Sequence, residues 1–97
     1  MSVAYVLSPA AQHDLGKIWD YSYASWGKDR ADAYLREIRA ALTSIATAPQ
    51  LGRECAFVRA GYRKYPVGSH ILFYRLLTNG IDVIRILHQR MDADRNL

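Results

Sequence analysis

The sequence predicts an α+β domain: a short N-terminal strand and an antiparallel helical hairpin packed on one face of a mainly antiparallel four-stranded sheet. Three observations predict it. Apolar residues recur at three- and four-residue steps between residues 9 and 45, the repeat of helices with one buried face. Beyond residue 60 the repeat shortens to two, which belongs to strands. Asn79-Gly80 then supplies a short hairpin signal between two such strands.

Val3 to Leu7 is β-branched and aromatic, and stops at Ser8-Pro9. Ser8 suits a helix N-cap, and Pro9 suits the first helical position, where its missing N–H is no loss. The first helix runs from Pro9 to Trp26, with Ala11, Leu15, Ile18, Trp19, Ser22 and Trp26 as its stripe. Gly16 inside it is unfavourable and suggests close packing. Gly27 ends the helix, and Asp29 can cap a second one. Its stripe is Ala31, Tyr34, Leu35, Ile38, Leu42 and Ile45, and Pro49 stops it. With only Gly27 and Lys28 between them, the helices form an antiparallel hairpin.

Residues 50–60 read as a loop. Tyr62 to Val67 is a strand that Pro66 marks as an edge or an end. Gly68-Ser69 turns into a strong strand, His70 to Leu77, and Ile81 to His88 is the last one. Residues 89–97 are polar and read as a tail. A two-residue turn at Asn79-Gly80 sets Arg75 opposite Ile84 and Tyr74 opposite Arg85, which puts the two arginines on different faces. A one-residue bulge would bring them onto one face. The sequence leaves both registers open.

The 97 residues fit one domain spanning 1–97. A hydrophobic content of 51% against 23% charged residues excludes a disordered chain. The lone Cys55 excludes a disulfide scaffold, and it reads as a spectator thiol. No apolar run is long enough to span a bilayer, and Met1 to Leu7 makes no secretory signal, so a cytoplasmic protein without membrane contact is expected. No set of histidines, thiols or carboxylates has metal-ligand spacing, and no cofactor is expected. Residues 1–52 hold five cations and five carboxylates; residues 53–97 hold eight cations, seven of them arginine, and four carboxylates. The whole net charge of +4 therefore sits in the second half, which points to solvated surface or to an acidic partner.

Leu7-Ser8-Pro9-Ala10-Ala11, Ile18-Trp19-Asp20-Tyr21, Trp26-Gly27, Pro49-Gln50-Leu51-Gly52-Arg53, Gly61-Tyr62-Arg63, Val67-Gly68-Ser69-His70 and Leu87-His88-Gln89-Arg90-Met91-Asp92 follow one another along the chain. Together, in this order, they resemble the ParE toxins of the RelE/ParE superfamily. The resemblance covers nearly the whole chain. It implies a toxin of a type II toxin–antitoxin system that inhibits DNA gyrase, is not itself an enzyme, and is neutralised by a ParD-like antitoxin wrapped along the helical hairpin and the sheet. Contact with DNA would then be indirect, through antitoxin or gyrase.

Candidate antitoxin contacts are the aromatic and apolar residues Trp26, Tyr34 and Ile38, with Arg63 and Arg75. Candidate target contacts are Arg59, Arg85, His88 and Arg90. Which arginine serves which partner stays open. The RelE relatives suggest an alternative, a ribosome-dependent mRNA endonuclease. Such a reaction needs an acid, a base and cations for the phosphate. His88, Tyr62 and Tyr74 beside Arg63, Arg75, Arg85 and Arg90 are candidates. Against it, Ile71 stands where the resemblance places a nuclease arginine, and Lys64 is the sole lysine of the second half. An interaction module without toxicity is a third reading.

Overall fold

The computed structural model describes residues 4–56 and 58–97. Its elements are β1 (Ala4–Leu7), α1 (Pro9–Trp26), α2 (Lys28–Thr47), a 3-10 turn (Pro49–Leu51), β2 (Arg53–Glu54), β3 (Tyr62–Val67), β4 (His70–Leu77), β5 (Gly80–His88) and α3 (Ala93–Asn96). The fold is the expected α+β arrangement with one more strand, because β2 is a two-residue rung too short to leave an apolar repeat. Val3, assigned to the first strand from sequence, lies outside the described residues.

The strands run in the order β1-β5-β4-β3-β2. β1 pairs parallel with β5 and all other pairs are antiparallel. The connection that this parallel pair requires runs through the helical hairpin and then β2, β3 and β4. β2 reaches only Arg63 and Lys64 of β3, so Pro66 sits where β3 has no outer neighbour among the described strands.

Ser8 caps α1 as expected. Its Oγ accepts from the Ala11 amide at 3.0 Å and donates to the Ile84 carbonyl at 2.7 Å, while its own amide donates to Val83 at 3.0 Å. The start of the helix is thereby tied to β5. A single residue, Gly27, joins the helices, with a positive φ of 92° but an extended ψ of 175°. It also takes the N-cap position of α2 in place of Asp29, which lies in the first turn. Ile38, Leu42 and Ile45 from α2 meet Ala11, Leu15 and Ile18 from α1 over Leu72, Tyr74, Ile81, Val83 and Ile86 of the sheet. Full burial of each large aliphatic side chain contributes about 1.5–3 kcal/mol. Gly16 does not mark close packing: a Cβ built on it meets nothing within 4 Å.

The β4–β5 loop is Thr78-Asn79, with Leu77 opposite Gly80, one residue earlier than the sequence suggests. Arg75 therefore faces Asp82 and Tyr74 faces Val83. A bulge between Phe73 and Tyr74 then sets Phe73 opposite Arg85. Arg75 and Arg85 share the sheet face turned away from the helices, since cross-strand partners lie on one side.

That second face is partly covered. Cys55, Phe73 and Leu87 form a small buried cluster, with Val58, Tyr62, Ile71, Ala93 and Leu97 packed against it. Residues 89–97 are thus no loose tail. Ala93 opens α3 and Leu97 caps its C-terminal end, four positions on, so that both pack against the apolar cluster of the sheet.

Candidate functional site

The α1–α2 hairpin, the start of β4 and the end of β5 leave a cleft of about 820 Å³ between them. Its inner wall is a hydrogen-bonded trio. Tyr34 on α2 reaches the β3–β4 turn, where its hydroxyl accepts from the Ser69 amide at 3.1 Å and lies 2.6 Å from His70 Nδ1. The hydroxyl also lies 3.3 Å from the Val67 carbonyl, so its proton goes to that carbonyl or to Nδ1 according to the His70 tautomer. His70 and His88 are cross-strand partners with ring centroids 5.3 Å apart. His88 Nδ1 accepts the Arg90 amide at 3.1 Å, which puts the proton of a neutral His88 on Nε2. Burial, and after it the neighbouring His88, holds the His70 pKa below the usual imidazole range.

Gly68 makes this wall possible. Its φ is +56°, and a Cβ there would stand 2.6 Å from the Tyr34 ring. Only glycine meets both conditions.

Asp14 and Arg85 form the side of the cleft. Arg85 Nε and Nη2 each lie 2.8 Å from an Asp14 oxygen, a forked pair. The same carboxylate accepts the Ile86 amide at 2.9 Å, and Arg85 also donates to the Asn96 carbonyl at 3.0 Å. β1 ends opposite Val83, so the guanidinium passes the sheet edge and joins α1 to the C-terminal turn. Asp14 is only 7% exposed. It escaped the sequence reading, although a carboxylate three residues after Ala11 and four before Ile18 stands on the buried stripe of α1. That position was its signal.

The outer rim is aromatic and cationic. Trp26 and Tyr21 are 55% and 69% exposed and meet edge to face at 6.1 Å. The Arg30 guanidinium lies over the indole, 5.5 Å from its centroid. Lys17, Arg90 and Met91 continue the rim.

The candidate residues thus divide. Trp26, Tyr34, Arg85, His88 and Arg90 converge on the cleft. Ile38 is fully buried in the core and offers nothing to a partner, because the α2 stripe is packed against the sheet there. Arg63 serves the chain itself, donating to the Gly52 carbonyl at 2.7 Å and pairing with Glu54 at 3.3 Å. Arg75 lies on the second face, exposed and paired with Asp82 at 3.0 Å. Arg59 donates to the Leu97 carbonyl at 2.7 Å. Tyr74 is buried, with its hydroxyl on the Pro49 carbonyl, and Tyr62 packs on the second face, so neither phenol reaches the cleft.

Comparison with known proteins decides the family. Residues 5–93 match the family model described as the ParE toxin of the type II toxin–antitoxin system, parDE. The chain belongs to the ParE toxin family. A Toxin ParE1 of Mycobacterium tuberculosis (strain H37Rv) is 56% identical over 98 residues, covering the whole of both chains. A Toxin ParE1 of Caulobacter vibrioides is 43% identical over 93 residues, or 96% of each chain. Among solved structures, the chromosomal ParDE system from P. aeruginosa contains a chain of the same fold, with a TM-score of 0.76 at 17% identity over 89% of this chain and 95% of that one. In this ParE toxin no helix among the described residues is long and apolar enough to cross a membrane. No cluster of metal-binding side chains occurs among them either.

Proposed function

We propose that this ParE toxin is a protein inhibitor of DNA gyrase, without enzymatic activity of its own, held silent in the cytoplasm by a ParD-like antitoxin. The full-length likeness to two proteins named Toxin ParE1 is the observation that carries the reading. The fold shared with a chain of a ParDE system supports an antitoxin of the ParD type. The cleft supports an inhibitor over a nuclease. Arg85 is engaged by Asp14 in a forked pair, so this cation at the side of the cleft is committed to the fold rather than to a phosphate. Ile71, in the place of a nuclease arginine, packs on the opposite face with Phe73 and Leu87.

Among the residues proposed for contacts, Trp26 and Arg90 at the cleft, Arg59 beside the C-terminus and Arg75 on the second face are exposed enough to meet a partner. The test is plasmid supercoiling by purified gyrase with increasing amounts of this protein. Loss of supercoiled product together with accumulation of cleaved DNA is expected. A folded protein that leaves gyrase untouched but cuts mRNA on ribosomes, and stops doing so as His88→Ala, would replace this reading with the nuclease one.

A further inference from the structure

We infer that the cleft is a direct binding site for single-stranded nucleic acid, in which unpaired bases stack on the Trp26–Tyr21 rim and the phosphates run along Lys17, Arg30 and Arg90. Charge is the first argument. The cleft is lined by four cations, Lys17, Arg30, Arg85 and Arg90, and by two carboxylates, Asp14 and Glu37. Asp14 and Arg85 neutralise each other in their forked pair. Three cations then face one carboxylate, a surplus suited to a backbone with one negative charge per nucleotide.

The rings are the second argument. A lone exposed aromatic needs no explanation, but here two large rings stand at one mouth, each more than half exposed. Arg30 already stacks on the indole, and the same cation can reach a phosphate beside a base held there. Stacking platforms flanked by cations bind single strands with little sequence preference. A duplex does not suit the site, because its base faces are taken by neighbouring base pairs. The inner wall is the third argument. With Nδ1 accepting the Arg90 amide, a neutral His88 carries its proton on Nε2, a donor suited to base carbonyls or ring nitrogens. An acidic peptide would find the cations but would leave the exposed ring faces unused.

This assignment does not depend on gyrase being the target. The probe is a fluorescein-labelled twelve-residue oligothymidylate, titrated with the full chain and followed by anisotropy and by tryptophan emission. Saturable binding is expected, with quenching of Trp26; the second tryptophan, Trp19, is held by Asp32 at 2.9 Å outside the cleft. Three phosphate contacts predict a log–log salt slope of about −2 for a single strand. Trp26→Ala should weaken binding about fivefold or more. Arg75→Ala, which removes a charge from the other face, should leave it unchanged.

Absence of saturable binding at 50 mM salt overturns the inference. So does equal weakening by Trp26→Ala and Arg75→Ala, which would reveal only a basic surface. Equal affinity for a duplex, or for an oligoglutamate of the same charge, overturns it as well. Gyrase supercoiling measured in parallel separates the two proposals. Oligonucleotide binding without gyrase inhibition upholds the cleft and removes the gyrase reading; inhibition without binding does the reverse.

Discussion

Tyr34, Gly68 and His70 carry the inner wall of the cleft through one phenol. Gly68→Ala brings a side chain to a left-handed φ and into the Tyr34 ring. Positive φ alone costs about 1–2 kcal/mol for an ordinary residue, so a loss of at least that size is expected in urea unfolding, with a lower midpoint. Gly16→Ala should act in the opposite sense. Its position is helical and open, so alanine should stabilise by about 0.5–1 kcal/mol without disturbing a contact. Asp14 is a costly polar residue to change, being buried and paired. Asp14→Ala would leave Arg85, with a side chain only 24% exposed, without its forked partner and strip the Ile86 amide of its acceptor. Removing one side of such a pair costs about 3–5 kcal/mol when buried, and the partial exposure of Arg85 puts the expected loss near the lower bound. An Asp14→Ala variant of unchanged stability would show that the pair contributes nothing. Gly68 was read as a turn glycine, whereas Asp14 was missed although its place on the stripe marked it. The role of Tyr34 was not readable, because its partner His70 lies 36 positions away with no local pattern to link them.

At the scale of elements, α1 and the strands from β3 to β5 were legible because residues with one local meaning punctuate them. Ser8-Pro9 opens α1, Pro49 follows α2, and Gly68-Ser69 fills the β3–β4 turn. What remained hidden depends on pairing across the sheet. The bulge opposite Phe73 and Tyr74 moves Arg85 onto another face, and no spacing within β5 announces it. The docking of α3 was hidden for a related reason: residues 89–97 are polar on average, and only the contact of Ala93 and Leu97 with the second face holds them. The junction of α2 with the β3–β4 turn should also be sensitive to pH. Burial and His88 lower the His70 pKa, with Asp14 opposing weakly, while Tyr34 faces the ring from α2. The unfolded chain then binds a proton more readily than the folded one below about pH 6.5, the ordinary imidazole value. Stability is complete above that pH and declines as pH falls towards the depressed folded value. Melting temperatures between pH 7.5 and 5 should therefore drop, and His70→Gln should flatten that part of the profile.

For the whole molecule, the charge surplus of the second half takes on a spatial meaning. Arg63, Arg75, Arg85 and Arg95 are paired with Glu54, Asp82, Asp14 and Asp92, so these arginines hold the chain together before they meet any partner. The cations that remain at the cleft are Lys17, Arg30 and Arg90, and two of these come from the helical hairpin in the electrically balanced first half. A net-charge profile along the chain therefore points to the wrong half for the cationic rim, because folding sets α1 and α2 beside the end of β5. This placement bears on how an antitoxin would bind. A partner that binds only the folded toxin adds RT ln(1 + [L]/Kd), about 2.7 kcal/mol at a hundredfold excess over Kd. For a domain near 100 residues, 1 kcal/mol moves the melting temperature by about 4–8 °C, so saturating antitoxin should raise it by about 10–20 °C. If exposed cations steer the encounter, the association rate should fall steeply between 50 and 500 mM salt while dissociation changes little. Stopped-flow mixing of toxin with antitoxin measures both rates. An association rate indifferent to salt would mean that the cationic rim plays no part in steering, and that apolar anchors such as Trp26 carry the complex.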